Sequence, residues 1–516
     1  MGDQPSDAVS IIQIRQDLHR HSSFLIPNSS LLAPSRIPGG DRLKELRRNM
    51  RVVGTLVVVL FVGLAAWFAM TVFTQGSIWA SDVRNSRLRS TNSLRGDILD
   101  RDGNLLATTA EDGTRQYTHN AIARRALSQT VGDIAGMSGT GVETFYSATL
   151  LDISTSLVDR LSELFNSKDH VGSSIQISVD GPLQAYIASE FPVDEKTGAF
   201  YRGAVCVTNY RTGEILAMVS MPNYDPYDLA NRTETRVEDT AYLNRCLQGL
   251  YTPGSVFKII TLASAITNDE SVVDQTFSCS GEWTYEGGHI VCAGGTSHGT
   301  VNLKTAFKRS CNVTFGKLAY QLGLERLRQT AEQFGFNENF KFGDFMVYNS
   351  AFPTEISSMN GLVWAGIGQG EVLVTPLHMA MIAGAIANGG TMMKPWLIEK
   401  ITNSLGAATT TAAPTAYRRV LSESVAGKIA EYMYETVQSG TATRAAIKGY
   451  TVGGKTGSAE VSDDKTVETN AWFTGFIYDD AHPYAISVVI EGGGAGARMP
   501  SELAAKALKK AIEYVG

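Results

Sequence analysis

Between Val52 and Phe73 the chain runs for 22 residues without a charge, VVGTLVVVLFVGLAAWFAMTVF. At about 1.5 Å per residue, a helix of that length covers the roughly 30 Å hydrocarbon core of a bilayer. Arg42, Lys44, Arg47, Arg48 and Arg51 precede it, and residues 74 to 83 hold no Lys or Arg. The positive-inside rule then predicts a cytoplasmic N-terminus and an extracytoplasmic remainder. A cleaved signal peptide fits poorly, because the apolar run is too long and no A-x-A site follows it. A buried core helix is the other competitor. The expected location is the cell membrane, by a single pass.

The rest of the composition bounds the answer by exclusion. Net charge is -6 with no dominant basic or acidic block, which argues against nucleic acid as a partner. Five cysteines, Cys206, Cys246, Cys279, Cys292 and Cys311, are too few for a disulfide scaffold. Cys279 and Cys292 could pair across a hairpin in an oxidising compartment, and free buried thiols fit equally well. A zinc site joining them to His289 or His298 has no recognised ligand spacing, so no metal and no cofactor are expected.

Residues 1–51 read as a cytoplasmic tail, with Met50 as an alternative start, and 52–73 as the membrane helix. Residues 74–172 form a modest mixed region. In it RGDILDRDGNLLA (95–107) reads as strand, Asp-Gly turn, strand. From Ser173 the signals strengthen. SSIQISV (173–179) alternates like a half-buried strand, and 204–220 reads as a β-hairpin. Helical patterns follow at 256–266, 303–307, 313–322, 376–387 and 423–438. Strands return at 451–460, 471–478 and 484–491. A last helix is expected from Ser501, as N-cap, to Val515. The Thr/Ala stretch at 407–416 reads as a surface loop. Two strands early and three late, with helices between, predict one antiparallel sheet built from both chain ends. Terminal helices would cover it, and the helical middle would form a second lobe, an α+β architecture.

One motif set carries chemistry. YTPGSVFKII (251–260) puts Ser255 and Lys258 three apart, on one face of a helix, with the serine near the helix N-terminus. There a neutral amine can take the serine proton. S-x-x-K alone is weak, and it recurs at Ser462–Lys465. It gains force with S-x-N and K-T-G following in that order. S-x-N occurs at Ser90/Asn92, Ser310/Asn312 and Ser358/Asn360; K-T-G occurs at 196–198 and 455–457. Order removes Ser90, Ser462 and Lys196. Ser310 lies in a break between two helical patterns and Ser358 does not, which favours Ser310. In TVGGKTGSAEV the glycines suit an exposed strand that a ligand backbone approaches closely. Strand alternation there points Lys455 and Gly457 to one face and Thr456 to the other, unless a bulge re-aims it.

With these motifs come RGDILDRDGNLLA, GAVCVTNYRTGEILAMVSMPNYDP, NRCLQGLYTPGSVFK, GIGQGEVLVTPLHMA, GGKTGSAE and AWFTGF. Together they make the chain, from Val52 onward, resemble the class B penicillin-binding proteins. These are membrane-anchored D,D-transpeptidases of peptidoglycan synthesis, and the short middle region is like that of the smaller elongation- or sporulation-type members. The resemblance implies a penicillin-binding, serine β-lactamase-like transpeptidase domain over 173–516. Its five-stranded antiparallel sheet would be flanked by helices and joined to an all-helical lobe. A small pedestal, dimerisation-like domain would occupy 74–172.

The resemblance also implies the roles. Ser255 would attack the carbonyl between the last two D-alanines of a stem peptide. Lys258 would be general base, and Ser310 would relay a proton. Lys455 would help keep Lys258 neutral. Asn312 would bond the donor peptide, and Thr456 with Lys455 its carboxylate. The backbone N–H groups of Ser255 and Ser458 would form the oxyanion hole. β-Lactams would acylate Ser255. The implied partner is a multi-span glycan polymerase of the shape, elongation, division and sporulation family. His298 reads as structural or on the cleft rim, Trp472 as strand packing, and 491–497 as a turn.

The alternatives are a serine β-lactamase or a membrane β-lactam sensor on the same fold. The former usually lacks an anchor, and a class A enzyme needs an E-x-x-L-N-type glutamate after S-x-N. The nearest stretch here, EDTAYLN (238–244), has the wrong spacing and precedes Ser255. A sensor needs several spans or an effector domain. A scaffold with a dead site is disfavoured by the intact motif set.

Overall fold

The computed structural model describes residues 39–80, 94–152, 171–230, 239–340, 342–460, 469–495 and 498–515. The expected tail up to residue 38 lies outside them, as do Ser90, Asn92, Glu238 and Ser462 to Lys465. The chain divides into two compact units, Met1–Thr74 and Gln75–Gly516.

A helix, α1, runs over Gly39–Ala80 and makes up the described part of the first unit as far as Thr74. Its apolar stretch, Lys44–Phe68, has none of its window buried by the rest of the chain. An exposed helix that is apolar on every side is stable where the surrounding solvent is itself apolar. Among the described residues it is the one helix long and apolar enough to cross a membrane.

The second unit is built on the expected five-stranded sheet. Its strands are β1 (Gly203–Asn209), β2 (Ile215–Met221), β3 (Val452–Ala459), β4 (Asn470–Ile477) and β5 (Tyr484–Ile490). The order is β3-β4-β5-β1-β2, antiparallel throughout. The longer helices after α1 are α2 (Gly181–Ser189), α3 (Lys258–Asn268), α4 (Asn312–Gln333), α5 (Pro376–Ala387), α6 (Glu423–Ser439) and α7 (Arg498–Tyr514).

The sheet is buried on both faces, and the period of two divides each strand between two cores. Val205, Val207, Ile486 and Val488 pack with Leu183 of α2 and Leu503 and Leu508 of α7. Ala204, Cys206, Ala485 and Val489 belong to the larger core with Ile382 of α5 and the helical lobe. Every residue of α5 is buried. Its N-cap Thr375 accepts from the His378 N–H, and Pro376 sits where a missing N–H costs nothing.

Two expectations need correction. Helix α7 starts at Arg498, so Ser501 is a buried first-turn residue rather than the N-cap. Pro500 is tolerated in that turn, and Arg498 Nε donates to Glu502 Oε1 across it at 2.9 Å. The Thr/Ala stretch is no mere loop: Ala408–Thr411 is an exposed strand hydrogen-bonded to Ile398–Thr402. β-Branched threonines suit such an edge, and a turn at Asn403–Gly406 folds it back. The strand Ser174–Ile177, which the sequence assigned to no sheet, joins a second, six-stranded sheet. It lies between Ile398–Thr402 and Ile98–Leu99, so this sheet interleaves segments from both sides of residue 172. The Asp-Gly turn of 95–107 forms as expected, with Gly103 at φ +82°.

Candidate active site

Ser255 lies in a 3₁₀ turn, Gly254–Phe257, that runs directly into α3 at Lys258. In a 3₁₀ turn side chains three apart eclipse one another. Lys258 Nζ accordingly comes within 3.1 Å of Ser255 Oγ. The turn is wedged against β3. Gly254 has φ +56°, and a Cβ there would lie 2.5 Å from the Ser458 carbonyl oxygen. A Cβ on Gly457 would lie 2.8 Å from the Pro253 carbonyl oxygen. Glycine at both positions lets the two backbones touch. From below, Trp472 donates Nε1–H to the Thr252 carbonyl at 3.1 Å and packs edge-on against Tyr251. Trp472 therefore packs on its strand as expected and also holds the nucleophile's turn.

Ser310 follows the short helix Leu303–Lys308. Its N–H donates to the Phe307 carbonyl at 3.0 Å, and the Cys311 N–H donates to Ala306 at 2.9 Å. That pair of bonds is a Schellman helix end, which calls for a left-handed residue, usually glycine. Here the residue is Ser310, at φ +56°. A non-glycine in that region costs on the order of 1–3 kcal/mol, held by the surrounding structure. The turn aims both the hydroxyl and the carbonyl of Ser310 at Lys258 Nζ, at 3.2 and 2.8 Å. Cys311 then caps α4, its Sγ accepting from the Thr314 N–H.

Asn312, the first residue of α4, accepts from Lys258 Nζ at 2.6 Å and donates to the Val291 carbonyl at 2.8 Å. Its amide keeps one hydrogen and one lone pair for a ligand. β3 is an edge strand of the main sheet. From it Lys455 Nζ donates to Ser310 Oγ at 2.9 Å and to its neighbour's carbonyl on Thr456 at 2.9 Å. Thr456 Oγ1 is hydrogen-bonded to Thr441 Oγ1 at 2.6 Å.

Both lysines are fully buried. Burial pushes Lys258 down to about 8, against the opposing pull of negative charge on the Cys311 and Cys292 sulfurs. Burial first, and then the charge of Lys258, hold Lys455 well below the ordinary lysine value. A hydroxyl beside an amine whose free form is far more accessible than that of an ordinary lysine is a nucleophile with its base in place.

The structure thus brings Ser255, Lys258, Ser310, Asn312, Lys455, Thr456 and Ser458 to one cleft from three distant segments. The decoys lie elsewhere. Thr197 sits in an exposed turn bonded to Asp194, and Ser358 caps the helix Met359–Ala365. Sequence reasoning missed Thr441, for which no local pattern exists. It also missed the pair Arg245–Glu491, 2.8 Å, whose carboxylate accepts from the Tyr251 hydroxyl at 2.7 Å. Cys279 and Cys292 are free thiols, with Sγ atoms 3.7 Å apart. His298 turns its Nδ1 toward them, at 3.4 and 3.6 Å. His289 instead meets Glu282 at the surface.

Residues 203–513 match the penicillin binding protein transpeptidase domain. The peptidoglycan D,D-transpeptidase PbpA of Mycolicibacterium smegmatis is 30% identical over 474 residues, 87% of this chain and 94% of its own. Stage V sporulation protein D of Bacillus subtilis is 29% identical over 404 residues, 74% of this chain and 60% of its own. A ceftriaxone acyl-enzyme complex of penicillin-binding protein A from M. tuberculosis has the same fold, with a TM-score of 0.74 at 27% identity. That match covers 82% of this chain and 99% of the other. The convergent serine and lysine side chains, the sheet that carries them and these matches agree: the chain belongs to the class B penicillin-binding proteins, in their elongation- and sporulation-type branch.

Proposed function

We propose that the chain is a peptidoglycan D,D-transpeptidase working through an acyl-enzyme on Ser255, and a target of β-lactams. The observation that carries the reading is Lys258 Nζ. It lies within hydrogen-bond reach of Ser255 Oγ, Ser310 Oγ and Asn312 Oδ1 at once, with Lys455 on the far side of Ser310.

The steps follow from that placement. Ser255 Oγ attacks the carbonyl carbon of the penultimate D-alanine, and its proton passes to Lys258 Nζ. Negative charge gathers on the carbonyl oxygen, stabilised by the backbone N–H groups of Ser255 and Ser458. Ser310, between the two amines, hands a proton to the leaving D-alanine nitrogen and regains one from Lys258, and the C–N bond breaks. An amine of a second stem then attacks the ester carbonyl and loses its proton through Ser310 to Lys258. The C–O bond breaks, Ser255 regains its proton, and a new amide cross-links the stems. Asn312 and the Thr456–Thr441 hydroxyl pair, beside Lys455, hold the donor backbone and its carboxylate. A β-lactam enters the first step with a ring amide that stays attached after opening.

Helix α1 is the anchor, with the N-terminus in the cytoplasm and the catalytic unit outside, in keeping with the five basic residues before Val52. The proposed partner is a multi-span glycan polymerase of the shape, elongation, division and sporulation family. The domain reading is anchor 52–73, pedestal 74–172 and transpeptidase domain 173–516. Fluorescent penicillin tests the assignment. Stable labelling of the full chain, lost in Ser255→Ala, is expected. Labelling that survives in Ser255→Ala, or rapid turnover of the drug as by a β-lactamase, overturns it.

A further inference from the structure

Directly behind the Ser310–Asn312 turn lies a second cluster that the acyl-transfer chemistry does not use. Cys279 ends the strand Thr276–Cys279, Cys292 follows the hairpin strand Gly288–Val291, and His298 precedes the strand Gly299–Asn302. Cys311 lies between the two polar residues of the S-x-N motif. One donor atom from each of the four lies within 4.8 Å of the others.

The separations are specific. Cys279 Sγ to Cys292 Sγ is 3.7 Å and Cys292 Sγ to Cys311 Sγ is 3.8 Å. His298 Nδ1 lies 3.4 Å from Cys279 Sγ and 3.6 Å from Cys292 Sγ. Around a tetrahedral zinc with Zn–S near 2.3 Å and Zn–N near 2.05 Å, the S···S edge is about 3.8 Å and the S···N edge about 3.6 Å. Four of the six edges already match that tetrahedron, and the other two lie within 4.8 Å. A disulfide, with its bond near 2.05 Å, would pair two sulfurs and leave the third thiol and the imidazole without a role.

The geometry points to a structural zinc site formed by Cys279, Cys292, His298 and Cys311. Three thiolates and one imidazole are a closed ligand set for zinc, and binding releases the three thiol protons to solvent. Chain spacing hid it: the intervals 279–292, 292–298 and 298–311 match no recognised pattern, and only the fold closes them.

The surroundings suit a metal. The three cysteines are buried, and His298 is half-buried, which leaves an entry path. The Thr314 N–H and hydroxyl donate to Cys311 Sγ at 3.3 and 3.2 Å. Ser297 Oγ donates to the Cys279 carbonyl at 3.0 Å, and the Cys292 N–H donates to Gly281 at 2.8 Å. Such outer bonds orient ligands. In the oxidising compartment proposed for this unit, a bound zinc would also keep the thiols from oxidising. The zinc would fasten the 276–302 segment to Cys311, and through it hold Ser310 and Asn312 on either side. It would be a positioning element for the catalytic turn, not a participant in acyl transfer.

The test is metal analysis of the full-length protein, purified in detergent without chelator and under reducing conditions. About one zinc per chain is expected, falling below about one tenth in His298→Ala and Cys279→Ser and recovering in His298→Cys. Cobalt exchanged into the site should show thiolate charge-transfer bands and the strong visible bands of a tetrahedral centre. Stripping the metal should expose Cys279, Cys292 and Cys311 to alkylation and slow fluorescent-penicillin labelling about tenfold or more, reversed by added zinc. Ser255→Ala should keep its zinc, so a failure of the transpeptidase reading leaves this test intact. A disulfide among the three cysteines in the native protein, iron or copper in place of zinc, or no zinc after reconstitution overturns the proposal.

Discussion

The two turns that meet at Lys258 reach their geometry in opposite ways. The turn of Ser255 is locally determined: proline, glycine and a 3₁₀ start place the serine and lysine three apart and eclipsed. Its glycine occupies the position that needs one. The turn of Ser310 defies local preference, with a serine in a slot that calls for glycine. The first turn gives a serine its base; the second accepts strain to bring a hydroxyl between two amines. Local rules suffice where the chemistry involves one segment. Where it must bridge segments, the tertiary structure enforces a conformation the sequence would not choose.

The largest effect should come from Lys258→Ala, which leaves Ser255 without its base. Its second-order acylation by penicillin should fall on the order of 10²–10⁴-fold, read by stopped labelling with a fluorescent β-lactam. A fall of only a few-fold would mean that the local turn does not set the chemistry. The pH profile comes next. With Lys258 at about 8, the free-amine fraction, and with it the acylation rate, should rise nearly tenfold per pH unit below that value and level off above it. A flat profile from pH 6 to 9 would remove the amine from the base role.

Exchanging the glycine logic of the two turns sharpens the contrast. Gly254→Ala places a methyl against the Ser458 carbonyl and should destabilise the domain by about 1–3 kcal/mol, seen in thermal unfolding. Ser310→Gly should do the reverse, unfolding about 1 kcal/mol later than Ser310→Ala, while both lose the relay and acylate slowly. Equal stability of the two would show that residue 310 carries no strain. The smallest effect is expected for Thr441→Val, which removes the partner of Thr456. It should weaken donor-peptide turnover by a few-fold, about 1 kcal/mol, with little change in thermal stability.

Much of this site was readable from the chain because its chemistry comes in short, ordered motifs. Ser255 and Lys258 declare themselves by spacing, and order along the chain separates Ser310 and Lys455 from their decoys. The β1–β2 hairpin and the late strands followed from alternation. The misses share a cause: each depends on a partner that lies far away in sequence. Nothing near Ser174–Ile177 says that it pairs with Ile98 and Ile398 instead of the main sheet. Thr441 looks like the end of a helix until β3 is laid beside it. His298 looks like a loop residue until three sulfurs surround its ring. The start of α7 lies earlier than the chain suggests because Pro500 and Ser501 resemble a helix entry when they already sit within its first turn.

Helix α5 is apolar around its whole circumference, yet it stops at 12 residues. That is about 18 Å, well short of the roughly 30 Å a bilayer demands. Under the proposed topology the catalytic unit is threaded through a membrane, and there this length matters as much as packing. A central rod two turns longer would fill the core equally well, but the translocation machinery could release it sideways into lipid. Under that topology, export sets a ceiling on how long the greasiest buried rod of the domain can grow.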